Sequence, residues 1–348
     1  MKIFITGSSG LIGSEAVRYF GSQGHQIIGI DNNLRKFFFG EQGDTSWNLK
    51  NLFDLNIDFK HQNLDIRDRK NILELYKTLR PDATIHCAAQ PSHDLAAKIP
   101  FDDFDTNASG TLNLLEASRQ YTFDSPFIYM STNKVYGEAP NELELTETPT
   151  RWEYKDPAFF NGIDENMRID RTKHSLFGAS KAAADLITQE YGRYFNMPTV
   201  CFRGGCLTGP NHSGVELHGF LSYLVKVAVN NKPYTIFGYK GKQVRDQIHS
   251  LDVVRAFECF INNPRAGEVY NLGGGRSNSA SVLECIYMIK ELSGYKVNYT
   301  LCHENRIGDH ICYISDLKKL ISHYPEWSIT ISLQQIIEEI LNAQKIIS

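Results

Sequence analysis

Three glycines spaced three apart, Gly7, Gly10 and Gly13, stand in the run Gly7-Ser8-Ser9-Gly10-Leu11-Ile12-Gly13, between a short apolar run (2–6) and a helical pattern (11–20). Glycines in that setting serve one chemistry: a tight turn, close backbone approach to a pyrophosphate, and a helix N-terminus whose unpaired N–H groups point at the anion. Gly7, Ser9, Gly10, Leu11, Ile12 and Gly13 are therefore candidates to hold a dinucleotide. Asp31 closes a second apolar run (25–30), 18 positions beyond Gly13, with Asn32 next to it. A carboxylate there accepts hydrogen bonds from both adenosine ribose hydroxyls and repels a 2'-phosphate, which favours NAD over NADP. Arg35 and Lys36 close by count the other way.

The seven cysteines (Cys87, Cys201, Cys206, Cys259, Cys285, Cys302 and Cys312) are odd in number, form no Cys-x-x-Cys pair and sit mostly in apolar segments. They read as reduced thiols, and no metal site is expected. With 36 Lys plus Arg scattered among 40 Asp plus Glu, net charge −4, nothing forms an electrostatic footprint for nucleic acid or an anionic membrane. No apolar run approaches the ~20 residues that cross a bilayer. Residues 1–4 read as a first strand rather than a leader, and the expected compartment is the cytoplasm.

What must position the chemistry is an alternation of short apolar runs and helical patterns: strand 2–6, helix 11–20, strand 25–30, helix 69–79, strand 83–87, helix 108–119, strand 126–131, helix 175–195 and strand 199–203. Parallel strands need crossover connections, and these pack as helices on both faces of the sheet. The expected fold is α/β: a Rossmann-type doubly wound parallel sheet with a smaller C-terminal substrate-binding lobe. Residues 1–204 form the NAD-binding domain with the catalytic residues, and 205–348 mainly the lobe, with some segments returning to the sheet. The segment 32–58, carrying Phe37-Phe38-Phe39, is a lid, a subunit contact or an ordinary covered loop. Leu333, Ile336, Ile337, Ile340 and Leu341 recur at helical spacing and predict a packing face.

Thr6 to Gly13, Asp65-Ile66, Cys87-Ala88-Ala89, Asn107 with Gly110-Thr111, Ser131-Thr132-Asn133-Lys134-Val135-Tyr136-Gly137, Ser180-Lys181, and Gln243-Val244-Arg245-Asp246 with His249 together carry a resemblance over nearly the whole chain. The sequence resembles the extended short-chain dehydrogenase/reductases that act on nucleotide sugars, and the 131–137 and 241–246 strings are most similar to those of CDP-tyvelose (CDP-paratose) 2-epimerases. The resemblance implies a tightly held NAD that takes a hydride from a sugar carbon, a keto-sugar that turns over in the pocket, and return of the hydride to the opposite face. It implies a nucleotide-sugar substrate, a CDP-hexose inverted at C2 being favoured over C4 inversion, and a homodimer. Asp65, Ile66, Ala88, Ala89, Gln90, Asn107 and Ser131 join the cofactor-binding positions on the same ground.

Residue by residue, the resemblance puts Thr132 where a hydroxyl bonds the reacting sugar oxygen, with Asn133 beside it. Lys181 falls where a lysine binds the nicotinamide ribose and lowers the pKa of a tyrosine one helical turn before it. That tyrosine is absent, because position 177 is Phe177. Another group has taken over as general acid/base, the chain is impaired, or the residue has been changed so that substrate is held without turnover. Tyr136, past Thr132 at the carboxyl end of its strand, is the first candidate, and His174 the second. Dehydrating relatives follow the threonine with an Asp-Glu pair; Asn133 and Lys134 stand there instead, which disfavours elimination. Arg245 and Arg306, the latter near Asp309, match diphosphate ligands, where bidentate arginines suit the anion. Cys206, Asn211, His212 and Glu216 are candidates to line the sugar or base pocket. A reading from another class, a non-catalytic NAD and nucleotide-sugar binder, rests on Phe177.

Overall fold

The computed structural model describes residues 1–215, 218–305 and 308–347, with side chains through 344. Seven parallel strands form the main sheet in the spatial order Glu268–Leu272, Thr199–Gly204, Phe127–Thr132, Ala83–His86, Lys2–Thr6, Gln26–Ile30, Phe59–Gln62. Successive residues of the inner strands go to opposite faces. Ile3 and Ile5, Ile128 and Met130, and Val200 and Phe202 join one core with the helices Leu11–Ser22 and Ser250–Asn262. Phe4, Phe127, Tyr129 and Cys201 join the other, under the helices Arg69–Leu79, Gly110–Tyr121 and Leu176–Phe195. Near-continuous apolar strands buried on both sides are what a doubly wound sheet requires. The strand order reverses between Lys2–Thr6 and Ala83–His86, and the loops leaving their carboxyl ends diverge into a crevice.

The second lobe has its own core, in which the helices Phe220–Val229, Val282–Ser293 and Leu333–Ile347 pack together; Leu333, Ile336, Ile337, Ile340 and Leu341 are all buried there. Val244–His249 is the centre of a small mixed sheet with Cys206–Thr208, Ser279–Ser281 and Cys312–Tyr313. The lobe is interrupted by Glu268–Leu272, which pairs with Thr199–Gly204 in the main sheet. The segment 32–58 holds two helices, Leu34–Phe39 and Ser46–Phe53, rather than an irregular loop. Among the described residues no helix is long and apolar enough to cross a membrane.

Candidate active site

The crevice at the strand reversal opens into a cavity of about 480 Å³ that runs from the glycine loop to the second lobe. Gly7 has φ +67° and Gly10 is the extended residue before the helix Leu11–Ser22, which begins without a side-chain cap. A Cβ on Gly13 would lie 2.0 Å from the Gly7 carbonyl oxygen, so only glycine lets the helix close on the loop. The result is a backbone cradle with uncapped N–H groups, the donor set a pyrophosphate takes. Asp31 lines the same cavity, and its oxygens accept from the N–H groups of Ser9 (3.0 Å) and Asn33 (2.8 Å). A carboxylate has about four lone-pair sites, so two such bonds leave capacity for ribose hydroxyls. Arg35 is engaged instead with the Ser213 carbonyl (2.7 Å) and His218, and Lys36 with Glu41 and Asp44.

Asn32, Asp65, Ile66, Ala88, Ala89 and Ser131 also line the cavity, with Gly7, Gly10, Leu11, Ile12 and Gly13. Asp65 accepts from Asn32 (3.1 Å) and Arg67 (2.8 Å); burial alone would raise its pKa, but Arg67 and Asn32 hold it below the usual carboxylate range. Ser9, Gln90 and Asn107, expected beside the cofactor, do not line the cavity. Ser9, within the loop, is buried and reaches Asp31 through its backbone N–H. Gln90 and Asn107 belong to a buried network behind the wall: the Gln90 and Asn107 amides donate to Asp103, and Ser180 donates to the same carboxylate (2.6 Å). That network ties the long helix to the loop after Ala83–His86.

Ser175 caps the long helix, its Oγ accepting from the Gly178 N–H at 3.0 Å, and the cap puts Phe177 in the first turn and Lys181 one turn on. Gly178 lets this turn press on the chain after Thr132, since a Cβ there would sit 2.9 Å from the Lys134 carbonyl oxygen. Thr132, Phe177 and Lys181 therefore face one cavity. Lys181 is buried; its Nζ donates to the Met130 carbonyl (2.9 Å) and sits 4.3 Å over the Tyr129 ring. Burial pushes its pKa down to about 8, against the pull of Asp185. Thr132 Oγ1 accepts from the Lys134 N–H at 3.3 Å and caps the short turn Asn133–Tyr136.

Neither expected replacement for the tyrosine reaches this wall. The strand stops at Thr132 and the chain rolls into that turn, so strand geometry no longer says where residue 136 points. Tyr136 is buried away from the cavity, its hydroxyl donating to Asn271 (2.7 Å) and accepting from Arg203 (3.1 Å). Burial drives its pKa up, despite Arg203. The His174 ring has the backbone carbonyls of Val135 (2.8 Å) and Thr172 (3.2 Å) against its two nitrogens and is also off the cavity. His93, which the sequence reading passed over, does line it, with its ring 4.9 Å from that of Phe177. The signal that could have found it is position: it follows Ala88-Ala89-Gln90 at the carboxyl end of a strand beside the switch point.

On the second-lobe side, Asn133, Cys206, Asn211, His212, Arg245 and Asp309 line the cavity, as does Lys134. Arg245 and Lys134 both bond the Asp309 carboxylate, and Lys134 also donates to the Gly308 carbonyl. Burial would raise the Asp309 pKa, but Arg245 and Lys134 hold it far down, so the cluster carries two positive charges against one negative. An anion in the cavity meets that surplus. Burial pushes the Cys206 thiol up to about 11, which keeps it protonated near neutrality. Arg306 and Glu216 lie outside the described residues.

The NAD dependent epimerase/dehydratase family matches residues 3–273. Over 97% of this chain and 98% of the relative, the sequence is 34% identical to the CDP-paratose 2-epimerase of Salmonella typhi. It is 28% identical to a dTDP-glucose 4,6-dehydratase of Salmonella typhimurium, covering 84% of this chain and 76% of that one. Among solved structures, a Tyr-to-Phe mutant of the UDP-glucuronic acid 4-epimerase of Bacillus cereus, in complex with a fluorinated UDP-glucuronic acid and NAD, superposes over both whole chains with TM-score 0.81 and 25% identity. The UDP-glucose 4-epimerase of Thermus thermophilus, in complex with NAD, covers 99% of both chains with TM-score 0.79 and 23% identity, a likeness of fold. A cradle only glycine can form, an aspartate free to take ribose hydroxyls and a match that spans the sheet lead to one conclusion: the chain belongs to the NAD-dependent epimerase/dehydratase family, as an enzyme of the nucleotide-sugar epimerase kind with NAD as its cofactor.

Proposed function

We propose that the protein inverts C2 of a CDP-hexose without net redox change. The observation that carries this reading is the joining, in one cavity, of the dinucleotide cradle, Thr132 and Lys181 with the cationic Arg245–Asp309–Lys134 cluster, in a chain 34% identical to a CDP-paratose 2-epimerase. NAD, when bound, supplies a hydride acceptor that later gives the hydride back. The chain's own residues do the rest. Arg245 holds the diphosphate, Thr132 bonds the reacting sugar oxygen, and Lys181 holds the nicotinamide ribose. Asn133 and Lys134 stand after Thr132 in place of an Asp-Glu pair, with Lys134 pinned to Asp309, which disfavours elimination. Inversion at C4 is the second reading, favoured by the 4-epimerases among the matching structures.

We infer a homodimer from the helices Gly110–Tyr121 and Leu176–Phe195, which pack side by side and turn Leu112 and Leu186 to solvent, with Phe104 exposed just before the first of them. Incubation of purified protein with CDP-, UDP-, GDP- and dTDP-hexoses, followed by NMR of the sugar protons, tests the activity. The expected result is a C2 epimer from a CDP-hexose. A C4 epimer from a UDP donor alone would favour the second reading, and no isomer from any donor would contradict both.

A further inference from the structure

An enzyme that returns the hydride it has taken cannot let its dinucleotide go while the keto-sugar turns, so whatever retains the cofactor bears on every turnover. The two helices Leu34–Phe39 and Ser46–Phe53 stand at the Asp31 end of the cavity, in a segment tied down at three places. At its base the Asn33 N–H donates to Asp31 (2.8 Å), and the Asn33 side chain accepts from the Thr45 N–H (3.1 Å). Farther on, the buried Asn48 amide donates to the Ser9 carbonyl of the glycine loop (3.0 Å). The third tie reaches the second lobe. Arg35 donates to the Ser213 carbonyl (2.7 Å) and to His218 Nδ1 (3.2 Å), and the Trp47 indole N–H donates to Ser213 Oγ (3.2 Å). The Phe39 ring stacks on that of His218, centroids 6.3 Å apart and planes within 21°, with the Arg35 guanidinium 4.9 Å over the phenyl ring.

A guanidinium has no acceptor, so His218 takes the Arg35 N–H at an unprotonated Nδ1. Burial, and after it Arg35, hold the His218 pKa well below its usual value, which keeps the ring neutral for that role. Gly219, at φ +94°, lets the lobe loop fold back on His212, since a Cβ there would lie 2.5 Å from that ring. The His212 and His218 rings then meet edge to face, 5.4 Å apart. Asp31, Arg35 and Thr45 line the cavity from the sheet side and His212, Ser213 and His218 from the lobe side, whereas Phe39 and Trp47 stay off it. We propose that Arg35 and Phe39, closed on Ser213 and His218, form a clasp that joins the two halves of the molecule across the dinucleotide and retains it through the catalytic cycle. The proposal rests on NAD being the cofactor and not on which sugar carbon is inverted. Release of the dinucleotide then requires a local opening of the clasp, and the contacts that must break set its rate.

The test follows exchange of bound NAD against an excess of isotopically labelled NAD, by mass spectrometry of the nucleotide released on denaturation. Arg35→Met, which keeps an apolar stem and loses both hydrogen bonds, should exchange at least about tenfold faster than wild type, and Phe39→Ala at least about threefold faster. Because both act through one contact, the double variant should exchange no more than about twofold faster than Arg35→Met alone. Phe39 stays off the cavity, so a fast Arg35→Met beside a Phe39→Ala at the wild-type rate would make Arg35 a plain cofactor ligand and overturn the clasp. Wild-type rates in both variants would overturn it too. So would thermal midpoints of the NAD-free variants more than about 5 °C below that of wild type, the mark of a general loosening. A wild type that purifies without nucleotide overturns retention itself, whereas isomer formation by that protein on addition of NAD would leave the epimerase reading intact.

Discussion

Lys181 shows what a functional side chain costs the fold. Its ammonium is buried beside Tyr129, with one backbone carbonyl as its hydrogen-bond partner, and burial lowers its pKa from 10.5 to about 8. The folded value lies below the free one. Below about pH 8 the folded state therefore bears the full cost of the buried charge, and between the two values wild type gains stability as folded molecules shed a proton that unfolded ones keep. Lys181→Met should thus be more stable than wild type near pH 7, by as much as ~3 kcal/mol, and the gap should shrink as pH rises toward 10.5. Urea unfolding of NAD-free protein at two pH values measures it; a gap that stays constant would contradict the assignment. Lys181 and Thr132 were legible because their family strings fix them by spacing. His93 was not, because it meets the long helix across a separation of 82 positions from Ser175, which no spacing rule encodes.

At the scale of elements, the glycine loop is the part that tolerates least. A methyl on Gly13 would meet the Gly7 carbonyl at 2.0 Å, so Gly13→Ala must push the helix Leu11–Ser22 off the loop and open the cradle. The variant should purify with at least about tenfold less bound NAD, a loss of ~1.4 kcal/mol or more in binding, read from the nucleotide released on denaturation; full occupancy would show that the cradle does not hold the pyrophosphate. The loop was readable in the sequence from its glycine spacing, and the inner strands because each is an apolar run buried on both faces. Phe59–Gln62 was not, since this edge strand alternates half-buried and exposed positions and carries Lys60 and His61. Glu268–Leu272 escaped for another reason: it returns to the main sheet only after the lobe elements have intervened, so the strand–helix alternation no longer points to it. In the segment 32–58, Asn33 braces the two helices by accepting from the Thr45 N–H, a contact without a periodic signature.

For the whole molecule, the sheet supplies the cofactor side of the cavity and the lobe closes it with Arg245 and Asp309, so neither half contains the site alone. The exposed leucines of the paired helices lie on the main sheet's outer layer, and neither lines the cavity. Wild type should have twice the 39.5 kDa mass of one chain by light scattering, and Leu186→Asp should halve it; a wild-type monomer would contradict the dimer.

The central claim is that the inverted carbon gives up a hydride and takes the same one back. The direct measurement is turnover of the accepted nucleotide sugar in D2O, with the product analysed by NMR and mass. The account predicts an epimer with no deuterium at the inverted carbon, since a hydride held on NAD does not exchange with solvent. Deuterium at that carbon would mean that it was deprotonated, and would contradict the account.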